Sequence, residues 1–462
     1  MTVGKLEIFV GWGRNNGTGA KHLKPRNTKE VASLVERSPR CIARGLGRAY
    51  GDAAQCAGGA VIDCTGLGEI LEFDVGTGVI RVEAGCSLDE LSRYSVARGW
   101  FVPVTPGTAF VTIGGAVAAD VHGKNHHREG SIARYVEEIC LVTQGGPRTI
   151  GPNRDPDLFW ATCGGMGLTG VITEVSLQLM PIATSSISVD TDRARDLDSC
   201  MEMLASGDEN YRYSVAWVDA RTRGRGLGRS IVTRGDHAKV GDLVSTQRNI
   251  PLSYNPVQRV RVPFTPPVSM VNALTLPVFN ALWYHKAPKH RLREIQSMNA
   301  YFYPLDMLGD WNRLYGPKGF TQYQMVVPFG EEHVVRYTIE RLQEAGCPSA
   351  LGVLKRFGEG GPSPLSFPMP GWTLALDIPL GSAELAIALD DCDRHVANAG
   401  GRVYLAKDGR LRPELMREMY PRLDEFIEIC HRTDPQGIFV SDLSRRIGLT
   451  PAPPTHRKRM NP

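Results

Sequence analysis

The sequence lacks paired cysteines, long apolar runs and a large excess of charge of either sign. Its ten cysteines stand singly with no C-x-x-C pair, which excludes zinc-ribbon and thioredoxin-type spacing and predicts reduced, mostly buried thiols. No stretch of about 18 uncharged apolar residues and no signal-peptide pattern occurs, so a membrane-spanning helix is not predicted. The net charge of +4 over 462 residues gives no reason to expect a nucleic-acid-binding protein. We expect a cytoplasmic protein with at most peripheral contact with the inner face of a membrane.

The composition is that of a folded protein with an excess of glycine. Hydrophobic residues make up 42% of the chain and charged residues 22%, which excludes disordered, collagen-like and coiled-coil proteins. The length predicts more than one domain, at roughly 100–200 residues each. The 50 glycines exceed the usual share of about 7%, so their positions are informative.

Between residues 29 and 179, short apolar runs alternate with glycines, which predicts an α+β domain of short strands. Strands are predicted at 41–43, 79–82 and 171–177, and a helix at 87–98 with Ser87 as its N-cap. The later part of the chain predicts a second α+β domain that packs on the first. Its predicted strands are 211–217, 230–233, 323–327, 352–357 and 372–378, and its predicted helices are 190–207, 332–344, 384–399 and 413–430.

Three further segments lack periodicity. Residues 221–229 and 241–267 predict surface loops, and a loop as long as the second can serve as an active-site lid or simply connect two elements. Residues 451–462 combine prolines with basic residues and predict a disordered tail.

Glycines concentrate in three segments of the first domain. The first, RGLGRAYGD at 44–52, can turn backbone N–H groups toward an anion beside an arginine. It lacks the third glycine of a Rossmann fingerprint and the Gly-Lys-Ser/Thr of a P-loop, and by itself it indicates only a tight turn. The second joins 106–108 to 112–120, where Gly114 and Gly115 open a small-residue helix whose amides can face a pyrophosphate. Together with the third, 164–170, they predict a long, phosphate-bearing cofactor.

The order of these motifs carries a family resemblance. The segments ARGLGRAYGD, VEAG, PGT, TIGGAVAADVHGKNHH and FWATCGGMGLTGVI follow one another as in the FAD domain of the vanillyl-alcohol-oxidase family of flavoproteins. The chain is also similar, over nearly its whole length, to the flavin subunits of polyprenylphosphoryl-ribose epimerases, including at YSVAWVDA, PLSFPMPGW and GRVYLAKD. The resemblance implies an α+β protein with a PCMH-type FAD-binding domain formed by 1–186 and 401–462. It also implies a substrate-binding domain on an antiparallel sheet over 187–400.

The resemblance further implies how FAD is held. Covalent members carry a histidine in the first glycine loop, where this chain has Arg48, so non-covalent FAD is expected. The residues expected to contact FAD are Ala43, Arg44, Gly45, Leu46, Gly47, Arg48, Ala49, Tyr50, Gly51, Asp52, Ala53, Gly107, Thr112, Ile113, Gly114, Gly115, Ala119, Asp120, Val121, His122, Ile172 and Tyr404.

The implied reaction is oxidation of the 2-hydroxyl of a polyprenylphosphoryl ribofuranose to a 2-keto sugar. A separate NADH-dependent keto-reductase would then complete the epimerisation to the arabinose donor for cell-wall arabinan. Such an oxidation needs a cation near flavin N1 and O2; by resemblance this cation is Lys407, and Tyr404 and His122 lie beside the flavin. Without the resemblance, each would be read as an ordinary strand or loop residue. Substrate contacts are expected from Lys124, Gln324, Lys355, Thr373 and Trp217, with Tyr50 as a further hydrogen-bonding group.

Two residues depart from the family's pattern. Ala375 stands where close relatives often have a cysteine, and Thr373 stands where an asparagine is common. A thiol at 375 is therefore not needed for the chemistry, and covalent inhibitors aimed at it should fail. His126 and His127, near Asp120 and Glu129, suggest a metal instead, but their spacing matches no zinc pattern, so we expect no metal.

Two other functions stay open on the sequence. One is an FAD-dependent oxidase of a soluble sugar, aldonolactone or nucleoside, which Thr373 and Ala375 would allow. The other is a non-catalytic binding protein whose basic segment His456–Arg459 contacts anionic lipid or nucleic acid. A yellow protein that releases FAD on denaturation would exclude the second.

Overall fold

A computed structural model describes residues 5–258, 260–272, 275–347, 349 and 351–450. The basic segment His456–Arg459 and the predicted tail lie outside the described residues. The first sheet contains β1 (Lys5–Phe9), β2 (Thr18–Leu23), β3 (Cys41–Arg44) and β4 (Ala60–Asp63) in the order β1-β2-β4-β3. Strand β4 lies parallel to both of its neighbours. Helix α1 (Thr28–Arg37) connects β2 to β3 and is capped by Asn27.

A second sheet is antiparallel and covers the remaining glycine segments. It contains β5 (Ile70–Phe73), β6 (Val79–Glu83), β8 (Val136–Thr143), β9 (Gly146–Ile150) and β10 (Val171–Gln178) in the order β5-β6-β10-β8-β9. A short strand β7 (Trp100–Phe101) pairs with β11 (Met180–Pro181). The helices of this region are α2 (Leu88–Val96), α3 (Ile113–Ala118), α4 (His126–Glu129) and α5 (Pro156–Thr162). The predicted capping of α2 by Ser87 is confirmed, since Ser87 and Glu90 form a reciprocal capping box.

The third sheet is the largest and is antiparallel throughout. Its strands are β12 (Ser186–Ala194), β13 (Tyr213–Val218), β14 (Ser230–His237), β16 (His290–Ser297), β18 (Phe320–Val327), β19 (Gly352–Phe357), β20 (Gly371–Pro379) and β21 (Arg402–Val403). They run in the order β16-β12-β14-β13-β19-β20-β18-β21. A two-stranded pair, β15 (Val260–Arg261) and β17 (Leu308–Gly309), stands apart. The remaining helices are α6 (Leu197–Gly207), α7 (Ser245–Arg248), α8 (Thr275–Lys286), α9 (Met298–Phe302), α10 (Glu332–Glu344), α11 (Ala383–Asn398), α12 (Pro413–Met419), α13 (Leu423–Thr433) and α14 (Asp442–Arg446).

Two predicted helices were wrong in part. The segment predicted as a helix over 190–207 begins as strand β12, whose residues alternate in burial, and the helix begins only at Leu197 after its Asp196 cap. The helix predicted over 413–430 is split into α12 and α13, because Pro421 has no N–H to donate at that point. The predicted loop 241–267 contains α7 and β15 but is otherwise irregular.

The sheets share one hydrophobic core, which includes Phe101 from the first half of the chain and Phe302 from the second, with ring centroids 5.4 Å apart. The C-terminal segment returns to the first sheet, where Cys41 N donates to Ile438 O at 2.7 Å and Val440 N donates to Cys41 O at 3.0 Å. The α+β class is therefore confirmed, while the exact domain limits at 186 and 401 stay a prediction.

All ten cysteines are unpaired, eight of them buried and two half-buried, as predicted. Among the described residues, none of the helices combines the length and apolarity needed to cross a bilayer.

Candidate active site

The first glycine loop is held against two distant parts of the chain. A Cβ on Gly45 would lie 2.1 Å from Thr112 Oγ1, and one on Gly51 would lie 1.9 Å from the carbonyl oxygen of Asp408. Gly47 has a φ of +65°, in the left-handed region. Only glycine lets three segments approach this closely, so the loop forms one surface with the second glycine segment.

The two arginines of this loop have different contacts. Arg44 donates to the carbonyl oxygens of Ala54 at 3.0 Å and Val10 at 2.7 Å, so it fixes the loop rather than standing free for an anion. Arg48 lies with its guanidinium 3.8 Å from the Trp12 ring centroid, and its Nε has no hydrogen-bond partner among the described residues. Arg48 is therefore the cation of this loop with donor capacity left for a phosphate.

The second glycine segment contributes shape more than free amides. The N–H of Ile113 donates to Cys86 O, that of Gly114 to Ala84 O, and that of Gly115 to the Thr112 side chain at 3.2 Å. These amides are already used, contrary to the idea that they point at a pyrophosphate. Gly107 and Gly115 are nevertheless exposed and carry no side chain, so a flat ligand can lie directly against the backbone there.

Several predicted FAD contacts serve packing in the structure. Ala53 and Ile172 are buried in the hydrophobic core. The buried carboxylate of Asp120 accepts from Ser366 Oγ at 2.6 Å and from Ala133 N at 3.2 Å. The third glycine segment is also internal: Gly164 N donates to Val117 O and Met166 N to Ala118 O, which fixes α3 from behind.

Four of the five predicted substrate residues share one face of the largest sheet, whereas Lys124 lies in the loop before α4. Gln324 on β18 pairs with Ala375 on β20, and Thr373 on β20 pairs with Lys355 on β19. Val353, two residues from Lys355, pairs with Trp217 on β13. Since side chains two residues apart point to the same side of a sheet, Trp217, Lys355, Thr373, Ala375 and Gln324 line one surface.

His122 is packed against this face as a neutral imidazole. Gln324 Nε2 lies 3.0 Å from His122 Nε2 and 3.3 Å from Thr373 Oγ1. Burial lowers the pKa of His122 well below its usual value, and the nearby cations Lys355 and Lys407 lower it further. With Nε2 accepting from the Gln324 amide, the ring proton lies on Nδ1, which has no partner among the described residues. His122 Nδ1 is thus a buried donor without a partner among the described residues.

Tyr404 joins the sheet face to the glycine segments. Its hydroxyl donates to Ala119 O at 2.7 Å, and its N–H donates to Gln324 O at 2.9 Å. Its ring stacks on Phe367 with centroids 4.7 Å apart and lies 5.1 Å from the His122 ring. Burial raises the pKa of the Tyr404 hydroxyl well above its usual value, so this group stays protonated and positions the backbone.

Three partly buried lysines lie near one another in the site: Lys355 and Lys407 act on His122, and Lys124, whose amine donates to Tyr301 O, acts on Lys355. Burial lowers the pKa of Lys124 to about 7, and burial together with repulsion from Lys407 and Lys124 lowers the pKa of Lys355 to about 7. Lys407 Nζ lies 3.9 Å from the Tyr50 ring centroid. Burial lowers the pKa of Lys407 to about 8 against the opposing charge of Asp377. Close amines of this kind are poised to receive an anion.

Asp377 and Gln322 complete the site and were not predicted. Asp377 is fully buried on β20, and its carboxylate accepts from the Gln322 amide, which lies 3.4 Å from the Tyr50 hydroxyl. Burial raises the pKa of Asp377 to about 7. The sequence does contain a signal: Asp377 stands two residues after Ala375, and Gln322 two before Gln324, so strand alternation alone places both on the active face.

Ion pairs of Arg446 connect the first glycine loop to the segment that follows Lys407. Arg446 on α14 binds both carboxylate oxygens of Asp52 at 2.9 and 2.8 Å, and its third nitrogen lies 2.9 Å from Asp408 Oδ2. Asp52 ends the first glycine loop and Asp408 follows Lys407, so one arginine holds both elements in place.

The side chains considered as metal ligands contact different partners. His127 contacts Tyr211 O at 3.0 Å, and Glu129 pairs with Arg212 at 3.2 Å. Asp120 faces Ser366, as described above. No group of three His, Cys, Asp or Glu side chains is placed to hold a metal ion in the part of the chain that the structure describes.

This arrangement defines an FAD-dependent oxidoreductase. A model of the FAD binding domain matches residues 20–149, and a model of D-arabinono-1,4-lactone oxidase matches residues 388–447. The exposed backbone at Gly107 and Gly115, together with the unsatisfied Arg48 Nε, fits a flat, phosphate-bearing cofactor.

More particularly, the chain belongs to the decaprenylphosphoryl-beta-D-ribose oxidase family. It is 42% identical over 449 residues to decaprenylphosphoryl-beta-D-ribose oxidase of Mycolicibacterium smegmatis. The aligned region covers 96% of this chain and 97% of that protein. It is 41% identical over 372 residues to an uncharacterized protein of Streptomyces coelicolor, covering 79% and 100%. It is 24% identical over 448 residues to L-gulono-1,4-lactone dehydrogenase of Mycobacterium tuberculosis, covering 92% and 95%.

Proposed function

We propose that the protein oxidises the 2-hydroxyl of a polyprenylphosphoryl ribofuranose to the 2-keto sugar, with FAD held non-covalently. The observation that carries the proposal is the group of Lys355 and Lys407 beside neutral His122, with Lys124 next to Lys355. Two of these lysines have a pKa of about 7, so an anion bound between them would keep them charged. The phosphodiester of a polyprenylphosphoryl sugar supplies such an anion.

The proposed roles follow from the contacts. FAD, when bound, accepts the two electrons and the hydrogen that leave C2, while the hydroxyl proton is released. Lys124 and Lys355 hold the phosphate, and Gln324 with Thr373 hydrogen-bonds a ribose hydroxyl. His122 donates from Nδ1 to a sugar oxygen, and Lys407 stabilises negative charge on the reacting oxygen as its proton leaves.

The resemblance supports three finer parts of the proposal. Arg48 occupies the loop position where covalent members carry a histidine, which supports non-covalent FAD. A 2-keto product needs a reductant to become the epimeric alcohol, so a separate NADH-dependent keto-reductase would act next. A substrate with a polyprenyl tail resides in a bilayer, which supports peripheral contact with the inner face of a membrane.

An aldonolactone oxidase is the second candidate, supported by the match of residues 388–447 to D-arabinono-1,4-lactone oxidase. Anaerobic bleaching of the bound flavin separates the two. A short-chain polyprenylphosphoryl ribose should bleach it, whereas L-gulono-1,4-lactone and free ribose should not. Bleaching by the lactone alone would refute the proposed substrate, and a colourless protein would refute the enzyme class.

A further inference from the structure

One surface segment carries most of the exposed apolar side chains. Of the twenty-one large hydrophobic residues that are exposed in the described part of the chain, thirteen lie between residues 240 and 292. Exposed apolar side chains concentrated in one segment in this way are typical of a binding site. The catalytic site does not use it, because the site lies on the face of the largest sheet described above.

Helix α8, at Thr275–Lys286, is the longest element of this segment. It exposes apolar side chains to the solvent. Its outer face presents Val278, Phe279, Leu282 and Trp283, which are 61%, 52%, 67% and 45% exposed. These positions are spaced as one side of a helix, and the Phe279 and Trp283 rings stack with centroids 6.0 Å apart. A surface helix normally exposes its polar side to the solvent. The exposed apolar side of α8 therefore indicates a surface that contacts a lipid or another molecule.

The polar side of α8 attaches the helix to the protein. The buried Asn280 donates to Asp219 Oδ1 at 2.8 Å, and the Tyr284 hydroxyl donates to Ala194 O at 3.2 Å. Arg229 lies 4.7 Å from the Tyr284 ring centroid. Asp219 follows the end of β13, two residues after Trp217. The helix is thus fixed, apolar side outward, next to the strand that carries a proposed substrate contact.

The same segment has a charge of one sign. From Leu243 to Arg293 the sequence contains seven Lys and Arg residues and no Asp or Glu, although the whole chain has a net charge of only +4. Four of these cations follow α8 or form its last turn, namely Lys286, Lys289, Arg291 and Arg293. All are exposed, and Arg291 pairs with Glu294, just after the segment, at 2.6 Å. Apolar and aromatic side chains beside exposed cations are the pattern of a helix that lies in an anionic membrane interface.

We propose that residues 243–293, with α8 at their centre, bind the surface of an anionic lipid bilayer. The outer face of α8 enters the headgroup and acyl boundary, and the flanking cations contact lipid phosphates. The proposal gives the membrane contact a specific surface; it rests on the proposed function only for the reason to approach a membrane. A second copy of the chain would place like charges against each other, and binding that requires anionic lipid separates a bilayer from an acidic protein partner.

The test is flotation of the FAD-loaded full chain with vesicles that contain no substrate. One vesicle is phosphatidylcholine alone, and the other is an equal mixture of phosphatidylcholine and phosphatidylglycerol. The triple variant Phe279→Ser, Leu282→Ser, Trp283→Ser is compared with a control that removes apolar side chains exposed elsewhere, Leu6→Ser, Leu71→Ser, Ile387→Ser. A charge variant, Lys286→Gln with Lys289→Gln, is compared with Lys21→Gln and Lys29→Gln. Flavin absorbance reports that each variant is folded.

The parent should float with the anionic vesicles and much less with phosphatidylcholine. The α8 triple variant should lower the partition coefficient about a hundredfold and the charge variant about thirtyfold, with both controls unchanged. Binding that ignores lipid charge, or that both triple variants lose equally, would overturn the proposal. So would loss of a dimer by the α8 variant in sedimentation with no loss of flotation. Because the vesicles hold no substrate, flotation stands or falls independently of which sugar bleaches the flavin.

Discussion

Replacing Asp377 by asparagine should make the protein's activity fail at alkaline pH while sparing it at acid pH. Burial lowers the pKa of Lys407 to about 8, and the ionised Asp377 carboxylate opposes that shift. Asp377→Asn keeps the size of the side chain and removes this charge. Lys407 should then lose its proton at a lower pH than in the parent.

The structure bounds the size of the effect. No carboxylate of the described residues lies within the 4.0 Å of an ion pair from Lys407, so the interaction is weaker than the about 4 kcal/mol of two charges 4 Å apart in a medium of ε about 20. A separation of roughly 8 Å would give about 2 kcal/mol, or about 1.5 pKa units. Asp377 itself has a pKa of about 7, so its charge supports Lys407 only above that pH.

The assay is stopped-flow reduction of the bound flavin by substrate across pH. Because the charged form of Lys407 exists below its pKa, the variant should be more than about tenfold slower than the parent at pH about 8 and within about twofold at pH about 6. Asp157→Asn, an exposed carboxylate on α5, should leave the profile unchanged. If Asp377→Asn is equally slow at both pH values, or not slow at either, Asp377 does not hold the charge of Lys407.

Other predictions test the remaining parts of the site. Lys407→Ala should keep FAD but slow flavin reduction about 10²–10³-fold; normal reduction would overturn its role. Gly45→Ala should purify with less FAD than Gly68→Ala, because a Cβ at Gly45 lies 2.1 Å from Thr112 Oγ1 and one at Gly68 meets nothing within 4 Å; equal flavin content would contradict this. Arg446→Ala should lower the free energy of unfolding by about 3 kcal/mol, and an unshifted urea midpoint would refute it. Ala375→Cys should make flavin reduction sensitive to thiol reagents that leave the parent active; equal sensitivity would point to another cysteine.

Local patterns predicted those elements whose signals are local. Ser87 marked the start of α2, and alternating apolar residues marked β6 and β10. The same reasoning failed at 190–194, where charged residues on the exposed side of β12 resembled a helix surface. It also passed over Pro421, which divides α12 from α13.

The site was predicted only where a motif or the family resemblance covered it. Gln324, Lys355 and Thr373 come together through the register of β18, β19 and β20, which no single strand encodes. Strand alternation places Asp377 on the same face, but it was missed because its complete burial is not evident from the sequence. Helix α8 was missed because it is apolar on the outside and has a polar anchor, Asn280, on the inside, so it lacks the usual pattern of a surface helix.

The contact between Arg446 and Asp52 sets an order of events during synthesis. The two residues are 394 positions apart, so the loop that ends at Asp52 leaves the ribosome long before the arginine that fixes it. The same arginine also holds Asp408, next to Lys407. A nascent chain, or one that ends before α14, therefore contains the first and second glycine segments. It lacks the Arg446 ion pairs that connect the first glycine loop to Asp408. Cofactor loading should accordingly be a late step, completed only after the last helix has folded back.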